Sequence, residues 1–185
     1  TLASLYLAAI MLRFLFQLVR ADFYNPISQA IVKATNPLLM PLRKLIPGVF
    51  GFDIASIVLA ILFHAIVIVA LGLINSVQIF NPLLLLSWAI IGTLSLLANI
   101  YFWGMLIVIV ISWVAPQTVN PAYLLLRQII EPIMSPFRRL LPDMGGIDLS
   151  PILAFLSIKV VQIILSAAAV FAGLSPAYFP LVLGI

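Results

Sequence analysis

The chain has 185 residues, of which 65% are hydrophobic and 8% charged, with a formal net charge of +4. An average soluble domain is roughly one quarter charged, and nine Lys and Arg with five Asp and Glu cannot clothe a water-soluble globule of this length. Together with a mean hydropathy of +1.30, this composition is that of an integral membrane protein. The absence of cysteine excludes disulfides, thiolate metal sites, iron–sulfur clusters and a cysteine nucleophile. A single histidine, His64, argues against a His-based metal cluster.

A helix needs about 20 residues to cross the hydrocarbon core. The first apolar span, about 2–19, lacks a preceding basic region and a small-residue cleavage site, and Arg13 interrupts it. It is therefore predicted to be a retained helix rather than a signal peptide, with a few residues expected to precede Thr1. A proline-punctuated segment, 25–47, leads to a second span at about 54–74. Residues 76–93 form a connector, in which Asn81 and Pro82 read as a cap and first-turn proline. Leu83–Gly92 either lies at the interface or extends the third helix, whose crossing is placed at about 94–114. A second proline segment, 120–142, precedes the last span at about 152–172. The predicted fold is all-α, one membrane domain over 1–185 with four transmembrane helices.

The chain repeats itself. Asn25, Pro26, Pro37, Pro41, Arg43, Leu45, Pro47, Gly51 and Asp53 recur 95 residues later as Asn120, Pro121, Pro132, Pro136, Arg138, Leu140, Pro142, Gly146 and Asp148. Residues 1–75 and 94–185 thus read as tandem repeats, each a helix, an amphipathic segment and a helix. The proline segments carry Arg20, Lys33, Arg43, Lys44, Arg127, Arg138 and Arg139, whereas residues 75–82 carry no cation. The positive-inside rule then places both proline segments in the cytoplasm and both termini outside. Two crossings per repeat keep the repeats parallel, related by an axis along the membrane normal.

Phe23-Tyr24-Asn25-Pro26, Pro37-x-x-x-Pro41-Leu42-Arg43-Lys44-x-Ile46-Pro47 and Gly51-x-Asp53 resemble the YggT family, and Pro136-Phe137-Arg138-Arg139-Leu140-Leu141-Pro142 through Pro151 is a closer match still. The resemblance covers nearly the whole chain and the two-repeat plan of proteobacterial members; YlmG and plastid relatives resemble single repeats. It implies a bacterial inner-membrane protein without a catalytic motif. Plastid relatives are linked to haem attachment in cytochrome b6 maturation, and bacterial ones to cell division, nucleoid organisation, osmotic tolerance and potassium uptake.

Within each proline segment the pattern predicts short amphipathic helices in the headgroup layer, because Pro41 ends any helix begun at Pro26 or Pro37. The paired cations Arg43–Lys44 and Arg138–Arg139 either fix topology by snorkelling or dock anionic lipid headgroups or an acidic partner surface. Asp53 and Asp148 each start a crossing helix, as N-caps, as ion-pair partners of Arg43 or Arg138, or as both.

His64 and Lys159 occupy equivalent repeat positions, each eleven residues past its aspartate, a depth of roughly 16 Å. They suggest a polar site between the repeats, with Asn99, Gln162, Arg13 and Gln17, which binds an anion, headgroup or partner helix, or simply joins helices. The crossings hold no carboxylate for a proton relay, and one His cannot supply bis-His haem ligation in one chain. No cofactor, catalytic residue, metal site or nucleic-acid contact is expected. The function expected is a non-catalytic assembly or scaffold factor for other membrane proteins or envelope complexes, with a small transporter or channel, or its modulator, in osmotic or potassium balance as the alternative. The bilayer, anionic lipid and other membrane proteins are the expected partners, and self-association stays open.

Overall fold

The computed structural model describes residues 2–48, 52–74, 81–140 and 150–184. Among these the fold is all-α. The elements in chain order are α1 (Leu2–Leu18), α2 (Pro26–Leu45), α3 (Ile54–Ile74), α4 (Pro82–Val114), α5 (Pro121–Leu140), α6 (Ser150–Phe171), a 3-10 turn (Pro176–Tyr178) and α7 (Phe179–Val182). Three helices, α3, α4 and α6, are long and apolar enough to cross a membrane, while α1 is apolar but shorter, at 17 residues.

Asparagine starts three of these helices. Asn25 Oδ1 accepts from the Ile27 amide at 2.9 Å, Asn81 Oδ1 from Leu83 at 2.9 Å and Asn120 Oδ1 from Ala122 at 2.8 Å. In each a proline follows at the first helical position, where its missing N–H costs nothing. Helix α4 then runs unbroken for 33 residues, about 50 Å. Leu83–Gly92 is thus the first part of the third long helix and not a separate interfacial stretch; no proline follows Pro82 to stop it.

The proline segments correct the expectation of short, broken helices. Helices α2 and α5 are each continuous over 20 residues, with Pro37 and Pro41, and Pro132 and Pro136, inside them. Each proline leaves one carbonyl, four residues back, without its helical donor. Those carbonyls belong to Lys33 and Pro37 in α2, and to Gln128 and Pro132 in α5. All of these residues, like the last proline of each series, lie on the exposed side. The opposite side holds each helix in place: Leu39 and Thr35 are fully buried in α2, and Ile129, Ile130 and Met134 are buried in α5.

The helices pack in two similar groups. In the first, α2 lays Leu39 among Ile10, Phe14 and Leu15 of α1 and Ala55 and Leu59 of α3, and Leu125 and Ile129 of α5 join the same cluster. In the second, Ile130 and Met134 of α5 pack with Met105 of α4 and Ala154 and Ile158 of α6. A third cluster, at the other end, joins Ile68, Ala89 and Ala169 to the chain end through Leu174, Val182 and Leu183. The starts of α2 and α5 are tied together: Asn25 Nδ2 donates to the Pro121 carbonyl at 2.9 Å and the Asp22 amide donates to Gln128 Oε1 at 3.2 Å.

Candidate functional site

Polar side chains gather in two places. The first lies where α1, α2 and α3 meet. Arg13 on α1 is buried, and its Nη1 donates to the Val32 carbonyl at 2.9 Å and to Thr35 Oγ1 at 2.7 Å. Tyr6, seven residues earlier, donates to the Ala34 carbonyl at 3.3 Å. Side chains of α1 therefore brace the backbone of α2 in the turn ahead of Pro37, where a proline has weakened the helix's own bonding.

Beyond Arg13, Arg43 Nη2 donates to Gln17 Oε1 at 3.0 Å and pairs with Asp53 Oδ2 at 2.5 Å. Asp53 also receives the Ser56 hydroxyl, and its Oδ1 accepts the Ser56 amide at 3.4 Å. It thus both caps α3 and pairs with Arg43. Burial works to raise the Asp53 carboxyl's pKa, but the bonds from Arg43 and Ser56 outweigh it and hold the group below its ordinary value.

The structure divides the four cations named from the sequence. Arg43 is committed to Gln17 and Asp53, and Arg138 pairs with Glu131 at 2.6 Å on the exposed face of α5. Lys44 and Arg139 are exposed and have no hydrogen-bond or ion-pair partner among the described residues. Asp148 lies outside the described residues.

The second gathering spans α3, α4, α6 and the chain end. His64 is buried, 3.4 Å from Thr93 Oγ1 through Nδ1, and donates to the Val182 carbonyl. Asn99 Oδ1 accepts from Gln162 Nε2 at 2.7 Å, joining α4 to α6. Asn99 Nδ2 donates to the carbonyls of Leu183 and Gly184 at 3.1 and 3.2 Å. A cavity of about 180 Å³ opens beside them, walled by His64, Ser4, Gly92, Val182 and Gly184 among others.

Of the polar residues grouped from the sequence, the structure brings His64, Asn99 and Gln162 into this region and leaves three out. Arg13 and Gln17 belong to the α1–α2–α3 gathering. Lys159 is exposed, with Nζ 4.3 Å above the Phe102 ring. Equivalence of His64 and Lys159 by repeat position does not place them together, because α6 turns its lysine outward. Sequence reasoning missed Thr35, Ser56, Thr93 and the carbonyls of the chain end. The spacing Asp53-x-x-Ser56 was a legible capping signal, and the tail Gly173–Pro180 carries the same proline punctuation as α2 and α5.

No group of three or more His, Cys, Asp or Glu converges among the described residues. The chemistry these sites offer is hydrogen-bond donation to carbonyls at one and fixed positive charge at the other.

The CCB3/YggT family model matches residues 1–74 and 87–169. An uncharacterized protein of Pseudomonas aeruginosa is 49% identical over 165 residues, covering 89% of this chain and 84% of the relative. The uncharacterized protein YggT of Escherichia coli K12 is 36% identical, covering 88% and 84%. A chloroplastic YlmG homolog of Arabidopsis thaliana is 34% identical over 92 residues, 48% of this chain and 27% of the plant protein. No solved structure matches the chain. The two matched stretches contain α2 and α5 with their proline pairs and cationic ends, and the chain belongs to the CCB3/YggT family.

Proposed function

We propose that this chain is a non-catalytic integral membrane protein that assists the assembly of other membrane proteins, with α2 and α5 as its docking surface. The observation that carries this reading is the placement of those helices. They start side by side, tied by the bond from Asn25 Nδ2 to the Pro121 carbonyl, and each ends in two cations, one ion-paired within the chain and one exposed without a partner among the described residues. An exposed cation fixed on a braced helix suits an anionic headgroup or an acidic partner surface.

In this reading α1, α3, α4 and α6 are four crossings in two parallel repeats. The 95-residue register of the sequence supports it, as does the large set of exposed apolar side chains on α3, α4 and α6, such as Ile66, Leu94 and Ile163. The cationic ends of α2 and α5 face the cytoplasm under the positive-inside rule, in a bacterial inner membrane. Co-purification from native membranes tests the proposal: a Lys44→Glu, Arg139→Glu chain loses the partners that the unaltered chain retains. Identical partner sets for both chains overturn it.

A second reading, small-solute or ion movement, is favoured by one observation, the cavity beside His64 with buried polar groups around it. Flux of potassium or chloride into proteoliposomes, above that of empty vesicles and lost in His64→Leu, would support it. No flux from folded protein removes it.

A further inference from the structure

The chain end turns back into the bundle. Trp88 Nε1 on α4 donates to the Ala172 carbonyl, at the end of α6, at 2.9 Å. Asn99, eleven residues further along α4, holds the carbonyls of Leu183 and Gly184. Eleven helical residues correspond to about 16 Å. The chain therefore leaves α6, reverses and descends by that distance between the helices.

The reversal is built from backbone geometry. Gly173 adopts φ 77°, the Gly173 amide bonds to Val170 and the Leu174 amide bonds to Ala169, closing α6 in a left-handed cap. The descending segment has only a 3-10 turn and one turn of α-helix, so its last carbonyls need outside donors. His64 supplies one to Val182, and Asn99 supplies its amide group to Leu183 and Gly184. Gly92 makes the fit possible: a Cβ there would overlap both the His64 ring and the Val182 carbonyl.

The surface beneath this segment is polar beyond what the seat uses. Ser95 Oγ and Gln162 Oε1 are buried and without a hydrogen-bond partner among the described residues. The cavity of about 180 Å³ lies against His64 and Gly92, with Val182, Leu183 and Gly184 forming one wall. A buried imidazole beside open volume, and buried oxygens without partners on the neighbouring helices, mark a region that water can enter.

We propose that residues 176–184 form a re-entrant plug, seated by His64 and Asn99, that closes a crevice between the two halves of the molecule. Withdrawal of the plug opens Ser95, Asn99 and Gln162 to water. With no carboxylate among these side chains, the open crevice suits water and neutral polar solutes rather than cations. This inference concerns the end of the bundle away from α2 and α5, and its failure leaves the docking proposal standing.

The chain has no cysteine, so Ser95→Cys places one reporter in the crevice and Leu94→Cys places a control on the exposed face of α4. In the purified protein of residues 1–185, Ser95→Cys reacts slowly with an uncharged, water-soluble thiol reagent. In a chain ending at residue 175 its labelling rate rises about tenfold or more, while Leu94→Cys in detergent-free vesicles stays protected in both. Should the shortened chain fail to fold, His64→Ala, Asn99→Ala in the unshortened chain carries the same expectation, because it removes the anchors and keeps the plug. Equal protection of Ser95→Cys with and without the plug or its anchors overturns the proposal. So does rapid labelling in the otherwise unaltered, unshortened chain.

Discussion

Arg43 reaches from the end of α2 to Asp53 at the start of α3, with 2.5 Å between Nη2 and Oδ2. The pair closes the loop between the two helices, and Gln17 of α1 shares the same guanidinium nitrogen. One residue thereby fixes three helices where the proline helix meets the bundle, and leaves its neighbour Lys44 exposed.

Removing Asp53 costs stability. Asp53 is 3% exposed but the Arg43 side chain is 35% exposed, so water can take over part of the lost interaction. Asp53→Asn is expected to lose about 1–2 kcal/mol. The pH dependence follows from the lowered carboxyl pKa: the folded state binds this proton more weakly than the unfolded state. The contribution is complete above the unfolded group's range, and it fades as pH falls below about 4 and through the lower folded value. Thermal unfolding in detergent from pH 3 to 7 checks this, and Asp53→Asn flattens that part of the curve.

Arg13→Leu is expected to loosen α2 selectively, at about 1–3 kcal/mol, because it leaves Thr35 and the Val32 carbonyl without their shared donor. Arg13→Lys restores it poorly, since an ammonium lacks the planar fork. Hydrogen exchange of residues 31–39 reads the effect, which is expected to spare α5.

Gly92→Ala is expected to cost about 1–3 kcal/mol, because the added methyl meets an imidazole and a backbone carbonyl that cannot both retreat. Gly104→Ala is milder. There the new Cβ meets the methyl ends of Leu126 and Ile130 at 3.0 and 3.1 Å, which can swing aside. Melting temperatures of the two variants, side by side, give the comparison.

Lys159→Leu is expected to be neutral within about 1 kcal/mol, since the lysine's recorded contact is the Phe102 ring. His64→Leu costs more, because it strips the Val182 carbonyl of its donor. Equal costs in unfolding titrations would contradict this division of roles.

The helical plan was legible because long apolar runs and Asn-Pro starts are local signals. The second span read from sequence, 54–74, is the range of α3. The continuity of α2 and α5 was not, because it depends on where the freed carbonyls face. Lys33, Pro37 and Pro41 share one exposed row, a fact of packing rather than of composition. Periodicity likewise could not tell that Lys159 turns outward while His64 turns inward. The seat for the chain end rests on Asn99 meeting residues 84 and 85 positions later, a pairing no local pattern encodes.

The docking role of α2 and α5 is tested most directly by a photoreactive side chain placed at position 44 or 139 and activated in native membranes, with position 163 as a bilayer-facing control. The account predicts discrete protein adducts from 44 and 139 and only lipid adducts from 163. Protein adducts absent from both proline helices, or equally frequent at 163, would contradict it.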